Sequence, residues 1–570
     1  MDYNYELARL IKTEAAVTEE ILAMLEIPKQ GQGDISLPCF KLSKALRKSP
    51  IVIAAELAEA FPGAPFIERA EALNGYLNFF LNRKNIADEL KDIAAAGAEY
   101  GRQSVGAGKT VCVDYSSVNI AKPFHIGHLS STAIGAALYR IYSYLGYEAV
   151  GINHLGDWGT QFGKLIYAYK AWGGDGKKVE KKGIEELTRL YVRFHEEAET
   201  NPALNEAARA WFKKIEDGDA EALELFTRFK ALTLKEVGKI YERLNVKFDS
   251  YAGESFYNDK MTPVLKLLEE KGLLTESDGA KIVDLSAYDM PPCILVRADG
   301  ATLYATRDLA AAFYRKNVYD FYKCLYVVAY QQNLHFKQIF KVLELMDCQW
   351  AKNMEHVAFG MVSLEDGAMS TRKGRVVWLK DVLKEAVKKA REIIEIKSPD
   401  LKNKAATAAS VGIGAVIFSV LYNSRIKDIT FSYEKILNFD GETSPYIQYT
   451  HARCRSVMEK AGVGGNKSKA LKLNGEVDLS TLADDESFDV IRALLRFPEV
   501  LRDAADKNEP CYLSRYLIDL AGKYNRFYIA NRIINAPERE RAARLVLTSA
   551  VADTLKTGLG LLGIGAPPKM

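Results

Sequence analysis

Long apolar runs are missing from this sequence. We expect none of its segments to reach the ~20 consecutive apolar residues that a helix needs to cross a bilayer. The first segment, MDYNYELARLIKTEAA, has the pattern of a charged amphipathic helix and lacks the apolar core of a signal peptide. These two absences predict a cytoplasmic protein without a membrane partner.

An excess of charge and pairs of cysteines are missing as well. The net charge is +3 over 570 residues, so bulk charge neither supports nor excludes a nucleic-acid partner. The seven cysteines include no CxxC pair, and none lies at zinc-ligand spacing with a histidine. We therefore expect reduced core cysteines and no dedicated metal site in the protein.

The order of patterns along the chain predicts three domains. Residues 1–105 mix helices with a short strand pattern, residues 106–395 alternate strand-like and helical runs, and residues 396–570 are helical in pattern. The alternation predicts an α/β fold with a doubly wound, Rossmann-type parallel sheet, interrupted by a helical insertion over about 180–245. An N-terminal α+β domain and a C-terminal all-α domain would flank it.

One strand-to-helix junction has the pattern of a nucleotide site. The strand TVCVDYSS leads into NIAKPFHIGHLSS, where His125, Gly127 and His128 open a helix. Backbone N–H groups at a helix N-terminus attract phosphate, and Gly127 lets a nucleotide lie close to the backbone. The alternative is a pair of histidines that only cap the helix. The nearby GKT at 108–110 is not a P-loop, because Gln103 stands at the motif's first glycine.

The motifs resemble those of class I arginyl-tRNA synthetases, in the same order and along nearly the whole chain. HIGH at 125–128 is the class I signature, and SSVNIAKPFHIGH, NHLGDWGTQFG, LYATRDL, QNLHFKQIFKVL and MSTRKG are similar to family motifs. GYLNFF resembles the family's extra N-terminal domain, and SPYIQYTHAR its helical anticodon-binding domain. The resemblance implies ATP-dependent ligation of L-arginine to tRNA(Arg), with tRNA needed for activation and Mg²⁺ bound with ATP. We expect a monomer.

By this resemblance, the HIGH histidines stabilise negative charge that develops on the ATP phosphates. Many family members read HIGHLRS, whereas Ser130 stands here in place of the arginine, so one phosphate or structural contact is in question. The expected ATP contacts are His125, Gly127, His128, Met369, Ser370 and Lys373.

The family usually carries KMSKS on a mobile loop, and here the loop reads AMSTRKGR. Ala368 and Thr371 stand where the two lysines would be. We expect Arg372 and Lys373 to provide positive charge in their place, and the resemblance implies that Lys122, just before HIGH, compensates for the second lysine. The alternative is that Lys122 is a solvated surface residue.

A guanidinium group is planar and always charged, so its site needs a carboxylate in its plane. Tyr304 and Asp308 are spaced i, i+4 and would face one way on a helix. By resemblance they bind the arginine side chain, with Gln332 nearby; otherwise Asp308 caps a helix or pairs with Arg307. Glu254 is a further candidate, with a plain helix-flanking glutamate as the alternative. The resemblance places the other end of the amino acid at Asp114, Asn119 and His125.

The segment NHLGDWGTQFG is expected to line the same pocket. His154, Asp157 and Gln161 are its polar candidates, without assigned roles. Gly156 and Gly159 are expected only to set a turn.

Two surfaces are candidates for contact with tRNA. Asn74, Tyr76 and Asn78 alternate on one predicted strand face, with which the family reads the D-loop; the alternative is a half-buried strand. Tyr528 and Met570 match family positions near the anticodon, although aromatic residues on helices more often belong to the core.

The same motifs allow three other functional interpretations to be compared. Another class I synthetase is disfavoured by YATRD together with DYSSVNIAKPFHIGH. A non-catalytic tRNA-binding relative would lack the HIGH histidines or the loop cations, and both are present. A small HxGH nucleotidyltransferase would need neither the N-terminal nor the C-terminal domain.

Overall fold

The N-terminal part of the computed structural model is a three-stranded antiparallel sheet flanked by helices. The structure describes residues 3–570 apart from 27, 30, 121, 123, 175, 299, 301, 365–376 and 464–476. The sheet order is β1-β3-β2, so β3 lies in the centre. The elements are α1 (Tyr3–Leu10), α2 (Thr18–Met24), β1 (Ile35–Pro38), α3 (Ser43–Leu46), α4 (Pro50–Ala60), β2 (Ile67–Leu73), β3 (Tyr76–Leu81), α5 (Arg83–Asp88) and α6 (Leu90–Ala96).

A two-residue turn joins β2 to β3. Asn74 and Gly75 have φ values of 52° and 84°, and Leu73 pairs with Tyr76 across the turn. Asn-Gly is favoured in a type I′ turn because both central residues must adopt positive φ. Asn74 therefore lies in the turn, and the prediction that it alternates with Tyr76 and Asn78 along a strand was wrong on this point.

The middle of the chain contains a four-stranded parallel sheet. Its strands lie in the order β10 (Met354–His356), β9 (Lys323–Tyr326), β4 (Thr110–Asp114) and β5 (Glu148–Ile152). The predicted Rossmann-type α/β fold is confirmed. Along the chain, helices α9–α12 (residues 177–243) come after β5 and before β9. A separate antiparallel sheet, β6-β7-β8 (residues 275–296), follows these helices in the chain. The strands are β4 (Thr110–Asp114), β5 (Glu148–Ile152), β6 (Thr275–Ser277), β7 (Ala280–Val283), β8 (Cys293–Val296), β9 (Lys323–Tyr326), β10 (Met354–His356) and β11 (Val362–Leu364). The helices are α7 (Leu129–Tyr144), α8 (Thr160–Trp172), α9 (Lys177–Lys182), α10 (Ile184–Thr200), α11 (Ala203–Glu216), α12 (Ala220–Arg243), α13 (Met261–Glu270), α14 (Tyr304–Tyr319) and α15 (Asn333–Leu345).

The carboxyl ends of the parallel strands meet at one edge of the sheet. Asp114, the last residue of β4, lies opposite Ile152 of β5 and Tyr326 of β9. In open α/β sheets, ligands bind outside this edge, where the strand order changes direction. Here β4 is followed to one side by β5 and is paired on the other side with β9, so the change of direction falls at Asp114.

After β11, the residues that the structure describes are helical except for one short strand, β12 (Ile429–Phe431). Strand β12 pairs in parallel with β11, which an all-α C-terminal domain did not predict. Three residues are too few to show a period-two pattern in the sequence. The elements are α16 (Leu379–Lys397), α17 (Lys404–Leu421), β12 (Ile429–Phe431), α18 (Tyr433–Ile436), α19 (Ser444–Lys460), α20 (Asp485–Leu495), α21 (Phe497–Asp506), α22 (Cys511–Ala530) and α23 (Glu538–Leu561).

Helix α17 is long and apolar enough to cross a membrane by length and composition, with a mean hydropathy of 1.7. The expectation that no segment would qualify was therefore wrong for this helix. It packs against α16, α7 and α19, and 61% of it is buried inside the protein. A helix in the interior of a large protein is also apolar on all sides. Composition alone therefore does not distinguish a membrane-spanning helix from a buried core helix.

A buried polar contact fixes the C-terminal helices to α7. The hydroxyl group of Tyr142, on α7, lies 2.7 Å from the carbonyl oxygen of Ala505 and 2.9 Å from Oδ1 of Asn508. Nδ2 of Asn508 donates to Glu355 of β10 at 2.8 Å. One amide thus ties the helix after HIGH, the parallel sheet and the α21–α22 turn together.

Candidate active site

The two HIGH histidines form a local hydrogen-bonded turn ahead of α7. His125 caps a 3₁₀ helix, Ile126–His128, and its Nδ1 accepts a hydrogen bond from the backbone N–H of Gly127 at 3.1 Å. The backbone N–H of His125 donates to Nδ1 of His128 at 3.2 Å. Because both Nδ1 atoms accept, each ring carries its proton on Nε2. The capping alternative is therefore true of these residues, and it leaves two Nε2–H donors for a ligand.

Both histidines are neutral in this environment. Burial lowers the pKa of His125 to about 4, and the charge of Lys122 acts in the same direction. Burial and the neighbouring His125 lower the pKa of His128 to about 3. Near neutral pH the pair would therefore meet a phosphate as hydrogen-bond donors and not as cations.

The chain returns from the KMSKS-like loop directly against HIGH. The backbone N–H of Ile126 donates to the carbonyl oxygen of Val377 at 3.1 Å, and the N–H of Leu379 donates to that of Phe124 at 2.9 Å. The loop candidates themselves, including the substituted lysine positions, lie outside the described residues: Ala368, Met369, Ser370, Thr371, Arg372 and Lys373.

Lys122 lies beside the same turn and is partly buried. Burial lowers the pKa of its ammonium group, while the charge of Glu254 acts to raise it. This environment differs from that of a fully solvated lysine.

Asp114 is paired with a buried arginine that the sequence analysis did not single out. Nη2 of Arg315 lies 2.7 Å from Oδ2 of Asp114, and the exposed fractions are 1% and 4%. The hydroxyl group of Ser117 donates to the other carboxylate oxygen at 2.9 Å. Arg315 lies eleven residues after Tyr304 and seven after Asp308, on one stripe of α14, so helical spacing was the available signal.

Asp308 is hydrogen-bonded to one histidine and lies near a second. Nε2 of His335 lies 2.6 Å from Oδ2, and Nε2 of His154 lies 3.9 Å from Oδ1. Burial acts to raise the pKa of the Asp308 carboxyl, but the His335 hydrogen bond and the nearby positive charge outweigh it and lower the pKa. His335, one turn after Gln332 at the start of α15, was missed by the sequence analysis although it lies in the QNLHFK motif.

Glu254 lies near this carboxylate and is incompletely paired. Its Oε2 is buried and accepts no hydrogen bond from any described residue. Burial raises the pKa of its carboxyl to about 7; the charge of Arg307 acts to lower it and that of Asp308 to raise it. Two acidic groups therefore influence each other across one pocket, and one of them titrates near neutral pH.

Tyr304 and Gln332, the other candidates for the arginine side chain, are exposed at the start of a helix. Tyr304, at the start of α14, is 59% exposed. Gln332 is exposed at the N-terminus of α15. Ser130, at the position of the family's arginine, is buried in α7.

The segment just before HIGH and the NHLGDWG loop contact each other at Asn119 and Gly156. The N–H of Gly156 donates to the carbonyl oxygen of Val118 at 3.0 Å, and the N–H of Ile120 donates to that of Gly156 at 3.1 Å. A Cβ added at position 156 would lie 2.2 Å from Oδ1 of Asn119. Gly156 therefore permits close approach, which corrects the expectation that it only sets a turn; Gly159, with a φ of 131°, does need glycine's freedom.

Asp157 is fully buried and fixes the backbone beside Glu254. Its carboxylate accepts from the backbone N–H and hydroxyl of Ser255, at 2.9 and 2.7 Å, and lies 2.5 Å from Nζ of Lys230 on α12. The bonds to Ser255 and Lys230 occupy its carboxylate, so it holds the Glu254 segment in place, and its place in the pocket lining stays a prediction. Gln161 bonds back to the carbonyl oxygen of Trp158.

The candidate tRNA residues differ in accessibility. Asn78 is buried and its Oδ1 accepts from the hydroxyl of Ser36 at 2.7 Å, while Tyr76 is partly exposed and packs edge-on against Phe40. Asn78 is thus buried where β3 pairs with β1, Tyr76 is the accessible member of this strand face, and contact of the face with the D-loop stays a prediction.

In the C-terminal helices, Tyr528 is 39% exposed. The guanidinium group of Arg453 lies 5.0 Å from the ring centres of both Tyr528 and Tyr449. Met570 packs partly buried at the edge of the main core. Tyr528 is thus an accessible aromatic ring in a cationic setting and not a core residue.

Three family models match successive parts of the chain. They describe an arginyl-tRNA synthetase N-terminal domain (residues 5–81), a class I (R) tRNA synthetase catalytic domain (89–433) and a DALR anticodon-binding domain (447–570).

Curated relatives and solved structures agree with these matches. An arginine–tRNA ligase from Clostridioides difficile is 52% identical over 98% of each chain, and one from Alkaliphilus metalliredigens is 49% identical over 100% of each. The arginyl-tRNA synthetase structure from Thermus thermophilus superposes with a TM-score of 0.80 at 30% identity over 96% of each chain. That from Plasmodium falciparum has a TM-score of 0.79 at 23% identity, over 100% of this chain and 98% of its own, and shows the fold alone.

The Asn119–Gly156 junction can be tested by a double-mutant cycle. Gly156→Ala should lower the free energy of unfolding by about 1–3 kcal/mol, because the added methyl group must displace the Asn119 amide. In an Asn119→Ala background the same substitution should have a much smaller effect. Thermal unfolding of the four proteins measures both steps. An equal loss in both backgrounds would mean that this contact does not require glycine.

Proposed function

The chain belongs to the class I arginyl-tRNA synthetase family, and we propose that it joins L-arginine to tRNA(Arg) at the expense of ATP. The arginine carboxylate attacks the α-phosphate of ATP, pyrophosphate leaves, and the arginyl-adenylate then transfers arginine to tRNA with release of AMP. The observation that carries this proposal is a pair of neighbouring carboxylates, Asp308 bonded to His335 and Glu254 with a buried oxygen that accepts no hydrogen bond from a described residue. ATP-dependent charging of total tRNA with each of the twenty amino acids tests it directly.

The phosphate chemistry is assigned to the HIGH turn and the loop after β11. Two neutral Nε2–H donors, from His125 and His128, would stabilise charge that develops on the phosphate oxygens. Lys122, Arg372 and Lys373 would add positive charge, and Mg²⁺ would enter with the ATP phosphates. Gly127, Met369 and Ser370 would contact ATP through atoms close to the backbone.

The substrate guanidinium is assigned to the pocket between α14 and the Glu254 segment. His335 already occupies Oδ2 of Asp308, so Oδ1 is the oxygen left for the substrate. Tyr304 and Gln332 would close the rim, and Glu254 would complete the charge balance. At the other end of the amino acid, Asp114, Asn119 and His125 would contact the amino and carboxylate groups.

The flanking domains are assigned to tRNA. Residues 1–105 would contact the D-loop through Asn74 in the turn and Tyr76 beside it, with Asn78 supporting them from within the sheet. Residues 396–570 would bind the anticodon through Tyr528 and Met570, leaving 106–395, with its insertion over about 180–245, for catalysis. We propose that the enzyme works as a cytoplasmic monomer.

Asp308→Asn should lower kcat/KM for arginine by about two to three orders of magnitude. Removing one partner of a buried charged pair costs about 3–5 kcal/mol, and the asparagine can still accept from His335. Asp320→Asn is the matched control, because that aspartate caps the other end of α14 on the surface. Steady-state charging within about threefold of wild type would remove Asp308 from the recognition site.

The KM for arginine should depend on pH through Glu254. Its pKa is raised to about 7 by burial, so the carboxyl is protonated below that pH and cannot balance a guanidinium. Affinity should therefore rise with pH, and KM should be about tenfold higher at pH 6 than at pH 8 if one proton is lost on binding. Glu254→Gln should give a flat profile. A flat profile in the wild type, or an unchanged slope in the variant, would contradict this assignment.

Activation of arginine should require tRNA. The HIGH histidines are neutral and both KMSKS lysines are replaced, so the positive charge for the triphosphate is left to Lys122, Arg372 and Lys373. Binding of tRNA would shift the enzyme towards a competent state. We expect negligible arginine-dependent ATP–pyrophosphate exchange without tRNA and clear exchange with cognate tRNA, with non-cognate tRNA as the control. Exchange at comparable rates without tRNA would defeat the coupling and leave the ligase assignment intact.

A further inference from the structure

We propose that Arg425 is a positioning residue that couples tRNA bound near the C-terminal end of α22 to the catalytic domain. It holds the backbone over residues 358–361 against the turn that opens this helix. The proposal rests on the proposed function for its effect on catalysis. Arg425 lies between α17 and β12, outside the motifs that carry the family resemblance.

The guanidinium group of Arg425 bridges two backbone carbonyl groups from distant parts of the chain. Its Nη1 donates to Ala358, two residues after β10, at 2.5 Å, and its Nε donates to Asn508, in the turn between α21 and α22, at 3.2 Å. The carboxylate of Glu509 lies 3.6 Å from Nε and accepts from the backbone N–H of Arg425 at 3.1 Å. A guanidinium group presents its donors in a fixed plane, so it sets the separation of the two carbonyl groups.

The segment over residues 358–361 also contacts the backbone around Arg425. The N–H of Gly360 donates to the carbonyl oxygen of Arg425 at 2.7 Å. A Cβ added at Gly360 would lie 2.3 Å from the carbonyl oxygen of Lys427, so the two backbones touch. Immediately afterwards β11 pairs in parallel with β12. The position of this segment therefore follows that of the chain that carries Arg425.

On its other side, the same segment meets the arginine pocket. The N–H of Tyr330 donates to the carbonyl oxygen of Phe359 at 3.0 Å. Tyr330 and Gln332 form the 3₁₀ helix that precedes α15, and the first turn of α15 carries His335, the partner of Asp308. Further along the chain, the segment continues through β11 to the KMSKS-like loop. A change in its position would thus reach the residues assigned to both substrates.

Helix α22 connects this joint to an accessible aromatic ring. The helix has 20 residues, which at 1.5 Å per residue gives a length of about 30 Å. Asn508 and Glu509 lie just before its first residue, and Tyr528 lies in its last turn. Buried side chains occur along α22 from Cys511 to Phe527, so the helix is packed over nearly its whole length. A packed helix of this kind can carry coupling between a ligand at one end and the joint at the other.

The first test measures the joint without an amino acid. Hydrogen exchange of the full chain, alone and with saturating tRNA(Arg), reports local opening of the backbone. In wild type, tRNA should slow exchange over residues 358–361 about fivefold or more, together with exchange in α22. In Arg425→Met, α22 should still be protected and residues 358–361 should not. Protection of this segment that is equal in both proteins, or absent in both, would overturn the coupling.

The second test separates coupling from loss of tRNA binding. Arg425→Met should lower kcat for tRNA-dependent pyrophosphate exchange about tenfold, with the Kd for tRNA within about threefold of wild type. Arg515→Met is the matched control and should leave kcat unchanged, because Arg515 is exposed on α22 and donates to the carbonyl oxygen of Tyr422 at 3.3 Å. Arg425→Lys keeps a cation beside Glu509; it should show the same separation of kcat from Kd with a smaller loss, and it serves if the methionine variant does not fold.

A double-mutant cycle with Tyr528→Ala completes the comparison. If Arg425 transmits binding at Tyr528, this substitution should lower kcat about fivefold in the wild-type background and less than about twofold in Arg425→Met. Effects that simply multiply would overturn positioning, as would a defect of Arg425→Met confined to the Kd for tRNA. Failure of the wild type to charge arginine, with the hydrogen-exchange result as expected, would instead overturn the proposed function.

Discussion

The ion pair between Asp114 and Arg315 joins the central strand of the parallel sheet to the helix that carries Tyr304 and Asp308. A carboxylate at the end of β4 is brought to the ligand edge by the strand itself, and there it is buried. A buried charge is destabilising unless an opposite charge lies close. Because α14 provides that opposite charge from the same stripe as Asp308, the orientation of the helix is tied to the end of the strand.

The same balance of burial and charge runs through the rest of the site. The HIGH histidines are neutral donors, Asp308 is kept ionised by His335, and Glu254 remains near its titration point. The site thus holds negative charge where a guanidinium would enter, while the cation beside HIGH in the described part of the chain is Lys122. A site with this distribution is better prepared for the cationic substrate than for the triphosphate, which is the physical basis for expecting help from tRNA.

Several contacts between distant segments hold this arrangement in place. Asp157 joins the NHLGDWG loop to Ser255 and to the insertion helix α12, and the Val377–Leu379 segment pairs with HIGH. Asn508 ties α7 to the C-terminal helices. The insertion and the C-terminal helices are therefore connected to the HIGH turn and α7 through direct hydrogen bonds and ion pairs.

The sequence by itself determined the parallel sheet from its alternating patterns, and the family and most candidate residues from the resemblance of motifs such as HIGH and YATRD to those of arginyl-tRNA synthetases. It could not assign Arg315 or His335 to their carboxylates, since these pairs join residues 201 and 27 positions apart that only the packing of α14 and α15 brings together. Nor could it separate the accessible Tyr76 from the buried Asn78, or show that Ser255 and Lys230 occupy the carboxylate of Asp157. Exposure and hydrogen-bond partners are properties of the packed chain, and a local pattern states which side chains are available but not which protein groups already occupy them.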